Sequence, residues 1–313
     1  MAVAVSPQPW LDHNHGIADP IPPVTPDDTR PSVKELIAQH QDCIHQVRLL
    51  LQDDPLFHAQ IHDDLWILRF VLSHKSRVQN SVRAARATLA YRHHYHLDTT
   101  DLRHCNVHET SSSTPAAVQR FMHFCAPHTV RYVIPDASRG VIGFYQLSGL
   151  DQQLIVRDLD EADWEDTFRF IAEWIFQWND YITRTTGRLT KSIRVMDISG
   201  IPLSSISYEC AKRVAKAAMV MEEYYPQNLQ SAFVCEAPSW AEVPWRMIRP
   251  IIPKRLVEKL DFVNPGQRER DRKRLLQHIA LEHLPKRYGG TRSEWPVAFQ
   301  LPTVAKKTAA VLG

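Results

Sequence analysis

The chain has 313 residues, 44% of them hydrophobic, with 37 lysines and arginines against 35 aspartates and glutamates. That length and composition suit one large globular domain or two small ones with a real core, and exclude a fibrous or low-complexity protein. A net charge of +2 excludes a whole-protein attraction to nucleic acid, so any preference for anions must come from local patches.

Residues 1–31 are rich in Pro, Asp and His, lack an apolar period, and are expected to form a disordered tail. Their start, "MAVAVSPQPWLDHNHG", has no apolar core of a secretion signal. From Ser32 the pattern turns helical. In "SVKELIAQHQDCIHQVRLLLQ" the residues Val33, Leu36, Ile37, His40, Ile44, Val47 and Leu51 share one face, and Ser32 with Glu35 makes a capping box. "DDLWILRFVLSHK", "VQNSVRAARATLAYRHHYHL" and "TPAAVQRFMHFCAPH" continue the helical theme. Residues 32–127 therefore read as a helical N-terminal lobe.

After Pro127 the texture changes. The runs "TVRYVI", "VIGFYQL", "SIRVMDI", "SAFVCEA" and "KLDFV" are β-rich. "PDASRG" is a tight turn between the first two. Long helical patterns such as "EADWEDTFRFIAEWIFQWNDYI" and "SISYECAKRVAKAAMVMEEYY" lie between later runs. Strands alternating with helices predict βαβ units and a mostly parallel sheet over 128–291. Residues 292–313 read as a C-terminal tail.

Catalytic and metal motifs are missing or explained otherwise. The chain shows neither a Gly-rich phosphate loop nor a GxSxG elbow. The acidic run Asp158, Asp160, Glu161, Asp163, Glu165 and Asp166 lies at a helix start, where negative charge suits the dipole. His93, His94 and His96, and the pair His104 and His108, lack an acidic third ligand and read as helix-end residues. Catalytic residues, a metal and a cofactor are not expected. Five scattered cysteines without a CxxC pair read as reduced thiols of a cytoplasmic protein. No segment approaches the roughly 20 apolar residues that span a bilayer, and no lipidation motif is present, so a membrane would be met only at its surface.

"WRMIRPIIPKRLVEKL", 245–260, is unusual among the helical patterns. Trp245, Met247, Ile248, Ile251 and Ile252 share a broad apolar arc, with Arg246 and Arg249 beside it. Pro250 lacks an amide hydrogen and crowds the carbonyl of Arg246, which costs about 3 kcal/mol inside a helix. The helix should kink or end near Arg249.

Four stretches, in order, resemble the CRAL-TRIO lipid-binding family: "LWILRFVLSHK", "VMDISGIPLSSI", "YYPQNLQSAFVCEAPSWAEVPWRMIRPII" and "LEHLPKRYGG". The resemblance implies a helical lobe, an α/β lobe and a deep apolar pocket under a gating helix. Trp245, Ile248, Ile251 and Ile252 would belong to that gate. The family's phosphoinositide-gripping cations match Arg255 and Lys259, whose spacing would put both on one helix face, and a further cation matches Arg69. Lys259 keeps a Lys of the yeast-type phosphatidylinositol site, while Gln227 stands where those proteins carry a Glu; a Gln can still hydrogen-bond inositol hydroxyls but carries no charge. Ser192 and Tyr132 match headgroup contacts of a phosphatidylcholine site, and Tyr145 can add a hydroxyl. Arg194 replaces a small hydroxyl residue and Gly143 a tyrosine; an arginine there would repel choline and favour an anionic group.

What the resemblance implies is a non-enzymatic, monomeric, cytoplasmic and peripheral protein. It would bind and transfer a phospholipid or another hydrophobic molecule and dock reversibly on anionic membranes, with a phosphoinositide among the candidate ligands. The alternative is a regulatory or scaffolding lipid-sensing module without transfer activity.

Overall fold

The structure is a computed structural model that describes residues 28–103, 105, 114–126, 129–133, 140–201 and 203–292. Most of the expected N-terminal tail, the "PDASRG" turn up to Arg139, His104, His108 and all but the first residue of the expected C-terminal tail lie outside the described residues. The last four residues of the expected tail are held in place. Arg30 bonds Asp28 and the Thr190 hydroxyl, and Leu189 N donates to the Pro31 carbonyl at 2.9 Å.

Four helices come first: α1 (Val33–Gln39), α2 (Gln41–Leu51), α3 (Asp64–Ser73) and α4 (Val78–His94). Ser32 and Asp63 cap α1 and α3 through their side chains, accepting from Glu35 N and Trp66 N. Their apolar faces close one core around Ile44, Val47, Leu51, Leu68, Phe70 and Leu89. The next helix, α5 (Ala116–Met122), lies within the range expected for this lobe. It instead packs on the α/β part, with Phe121 against Trp164.

The expected strands form a five-stranded sheet in the order β1-β2-β3-β4-β5, with β1 (Val130–Val133), β2 (Ile142–Gln146), β3 (Ser192–Asp197), β4 (Leu229–Cys235) and β5 (Leu260–Val263). Only β1 and β2 pair antiparallel; the other neighbours are parallel. The crossovers carry α6 (Gln152–Asp158) and α7 (Glu161–Thr186), then α8 (Tyr208–Tyr224), then α9 (Glu242–Ile248) and α10 (Lys254–Val257). With strands in chain order, right-handed crossovers place these helices on one face of the sheet. That leaves the opposite face to α11 (Glu269–Leu276) and the turns after it.

Two polar seams hold the parts together. Arg69 of α3 bonds Asp180 of α7 at 2.9 Å, and Arg184 bridges Asp180 and Asp63 at 2.7 and 2.6 Å. Arg92 of α4 grips Glu173 of α7 through both terminal nitrogens. At the strand ends, Asp197 meets Arg287 at 2.9 Å and accepts from the Tyr288 hydroxyl and from Ser199 N. The "VMDISG" and "LPKRYGG" stretches, some ninety residues apart, are thus one structural unit. Gly290 is required there, since a Cβ would lie 1.8 Å from the Leu284 carbonyl oxygen.

Candidate functional site

Strand alternation decides which residues can meet on the helix-covered face. Across the sheet, one row reads Tyr132, Gly143, Arg194, Ala232 and Leu260; the next reads Val130, Tyr145, Met196, Val234 and Phe262. Toward β1 this face is sealed by α7, where Tyr132 and Val130 pack on Trp174 and Trp178. Toward β5 it loosens. Phe262 is 40% exposed and meets the Trp245 ring of α9 edge-on, with ring centroids 5.1 Å apart.

A cavity of about 20 Å³ opens on the first row, lined by Ser192, Arg194, Met221, Glu222, Tyr225 and Leu256 among others. It has room for about one water. It is smaller and more polar than the deep apolar pocket implied by the resemblance. Ser192 donates its hydroxyl to the Asn228 carbonyl at 2.8 Å. Arg194 reaches the Met221 sulfur at 3.2 Å, and its buried Nε has no hydrogen-bond partner among the described residues. Lys259 is held by Glu222 at 2.7 Å. Lys191, just before β3, is lowered to about 8 by burial, with Lys259 and Arg69 adding repulsion.

The remaining predicted residues fall around this point rather than on it. Tyr145 folds over Gly143 so closely that a Cβ there would lie 2.8 Å from its hydroxyl. That hydroxyl donates to Tyr132 at 3.2 Å. Burial pushes the Tyr132 phenol well above its ordinary value, so it stays neutral. Gln227, with a left-handed φ of 61°, turns away to donate to Ser73 at 3.0 Å; its neighbour Asn228 lines the cavity instead. Arg69 is 1% exposed and committed to Asp180, apart from the cavity. Arg255 is exposed beside His74 at 3.4 Å. The expectation that Arg255 and Lys259 share one helix face is not met. Pro253 starts α10 afresh, the helix stops at Val257, and Lys259 lies beyond it in the lead-in to β5.

The gate segment ends as its proline requires. α9 closes at Ile248 and a single 3-10 turn spans Arg249–Ile251. Trp245, Ile251 and Ile252 are half-buried, while Val243 and Met247 are 56% and 58% exposed. The apolar arc therefore splits: part faces inward and part faces solvent. Lys191, Met221, Glu222 and Leu256 carried no sequence signal for this site. Only the register of β3 against α8 and α10 brings them together.

Among the described residues, no group of three or more His, Cys, Asp or Glu side chains stands where it could hold a metal, and no helix is long and apolar enough to cross a membrane. The profile of the CRAL/TRIO domain matches residues 102–290. The chain is similar to a CRAL-TRIO domain-containing protein of Saccharomyces cerevisiae, 22% identical over 267 residues, which covers 82% of this chain and 79% of that one. It is also similar to the SEC14 cytosolic factor of Candida glabrata, 28% identical over 109 residues, or 34% of each chain. Its fold is similar to the crystal structure of Sfh5, with a TM-score of 0.50 at 12% identity, covering 87% of this chain and 90% of that one.

Proposed function

The chain belongs to the CRAL/TRIO domain family, and from that premise we propose that it binds a phospholipid or similar hydrophobic molecule and carries it between membranes. The observation that supports this most is the loosely filled sheet face under α8, α9 and α10. There a half-buried strand arginine lies on Met221, and an exposed Phe262 meets Trp245 of a short broken helix. Burial of a lipid tail is worth about 0.8 kcal/mol per methylene, so a lid need supply little stability of its own. A helix interrupted at Pro250 suits a segment that must open and close.

Val243 and Met247, exposed on α9, are the side chains that would enter a membrane surface first. Arg246 and Arg249 flank them and would meet acidic headgroups. Tyr132, Tyr145, Ser192 and Arg194 form the headgroup end in this reading, with Gln227 at its margin. Arg255 and Lys259 are the surface cations for a phosphoinositide. The residue ranges 32–127 and 128–291 serve as its helical and lipid-holding lobes, with α5 of the first packed against the second.

Mass spectrometry of lipid bound to freshly purified protein, and of lipid taken from added vesicles, tests the reading. Bound phospholipid is expected; protein that carries none and extracts none ends the proposal. Replacing Arg255 and Lys259 together by Ala should lower phosphoinositide-dependent transfer several-fold in a protein that still folds, with the melting temperature slightly lowered by loss of the Lys259–Glu222 pair. Equal transfer by mutant and parent removes both residues from the site.

One observation favours a second reading, a lipid-sensing or scaffolding module without transfer. The cavity lined by Arg194, Met221 and Leu256 holds only about 20 Å³, room for about one water. The same extraction separates the two, since a module of that kind would return no lipid and would retain a protein partner.

A further inference from the structure

Arg194 is the least satisfied charge at the site. It projects from the middle of β3 and is flanked on its row by Gly143 and Ala232, which offer no bulk beside it. Its terminal nitrogen meets only the Met221 thioether, a weak acceptor, and its Nε is buried without a partner. It makes no ion pair among the described residues. Glu222, the carboxylate lining the same cavity, is already taken by Lys259 at 2.7 Å. Lys191 likewise has no hydrogen bond or ion pair among the described residues. Lys191 and Lys259 thus already act on Glu222, and Arg194 lines the same cavity with it. A half-buried guanidinium without a counter-charge is costly, and it is relieved best by an anion that accepts two of its hydrogen bonds.

A quaternary ammonium headgroup needs the opposite surroundings, aromatic faces and a surplus of negative charge. Here Tyr132 and Tyr145 turn their hydroxyls on each other, and Tyr145 lies over Gly143. We propose that Arg194 makes this cavity select a phospholipid whose headgroup ends in a negatively charged group and reject one ending in a quaternary ammonium. The inference rests on the lipid-carrier reading above and adds the headgroup class to it. The cavity of about 20 Å³ must widen to admit a phosphate. Leu256, on the four-residue α10, is the wall placed to withdraw, so headgroup entry and movement of the gate segment are one event.

The protein is incubated with vesicles of equal parts phosphatidylcholine and phosphatidic acid, re-isolated, and its bound lipids are counted by mass spectrometry. One charge-assisted hydrogen bond corresponds to about tenfold, and that is the excess of phosphatidic acid expected. Arg194→Gln should bring the ratio close to one, and Arg194→Lys should keep part of it, with thermal denaturation checking that each variant folds. Arg194→Thr replaces the glutamine variant if that one does not fold. An unchanged ratio in the neutral variant, or a parent that prefers phosphatidylcholine, overturns the assignment while leaving the carrier reading intact. A parent that takes up neither lipid ends both. Inorganic phosphate raising the melting temperature of the parent but not of Arg194→Gln, with no lipid preference, would make the site one for a free anion and remove the headgroup claim.

Discussion

On the sheet face toward α11, Ile142, Phe144 and Val195 are 0% exposed and Phe233 is 2% exposed, all packed with Leu275, Ile279, Leu284 and Tyr288. On the opposite face, along the row ending at β5, Val234 is 8% and Phe262 40% exposed under α9. The same five strands feed both faces, so the difference is not one of strand propensity. The first face is closed by a C-terminal segment locked through Asp197, Arg287 and Tyr288. The second is closed toward β5 by α9 and α10, short helices broken at Pro250 and Pro253. One face carries the stability of the lobe, and the other is left free to rearrange.

That contrast can be broken most sharply from the packed side. Phe144→Ala should cost about 3–5 kcal/mol in urea unfolding, because the cavity it leaves cannot collapse between strands and α11. A cost below 1 kcal/mol would mean that the packed face is not the stabilising one. Tyr288→Phe should cost about 1–2 kcal/mol, since Asp197 loses a buried donor. An unchanged midpoint would show that the strand-end unit is held by Arg287 alone.

Lys191 sharpens the contrast through pH. Burial lowers its folded value to about 8 from an ordinary 10.5, so above pH 8 the unfolded chain binds more protons. Stability should then rise with pH between about 8 and 10.5. Solvent screening limits the gain to about 1 kcal/mol. The rise should be smaller in Lys191→Met, and identical pH profiles for the two proteins would place Lys191 in bulk-like water. Phe262→Ala, on the loose face, should change stability by less than about 1 kcal/mol. It should nonetheless weaken retention of bound lipid about fivefold through lost apolar contact. A large stability loss there would make the two faces equivalent and weaken the case for exchange.

Much of this architecture was legible in the chain. The helical and β-rich runs announced their periods, Ser32 stood at the helix start it caps, and Pro250 stopped α9 where its missing amide hydrogen required. Positions that depend on neighbours were not legible. The cations at 255 and 259 looked like a helical pair, but Pro253 and the onset of β5 leave only four residues for α10. α5 looked like part of the N-terminal lobe, because an amphipathic pattern states that a face is buried and not against what. Arg69 looked like a ligand cation and is bound instead to Asp180, more than a hundred residues away in the chain.

By itself the sequence determined the strands, the helix start at Ser32, the helix end before Pro250 and the family, because these rest on local periodicity, caps, prolines and ordered motifs. The tertiary structure alone decided that Arg194 stands without a counter-charge while Lys259 has Glu222. Whether a charge is engaged depends on distances across strands and helices that no spacing along the chain encodes. The uneven filling of the two sheet faces has the same origin. Right-handed crossovers send α7 to α10 to one side, and only packing shows which of them seal it.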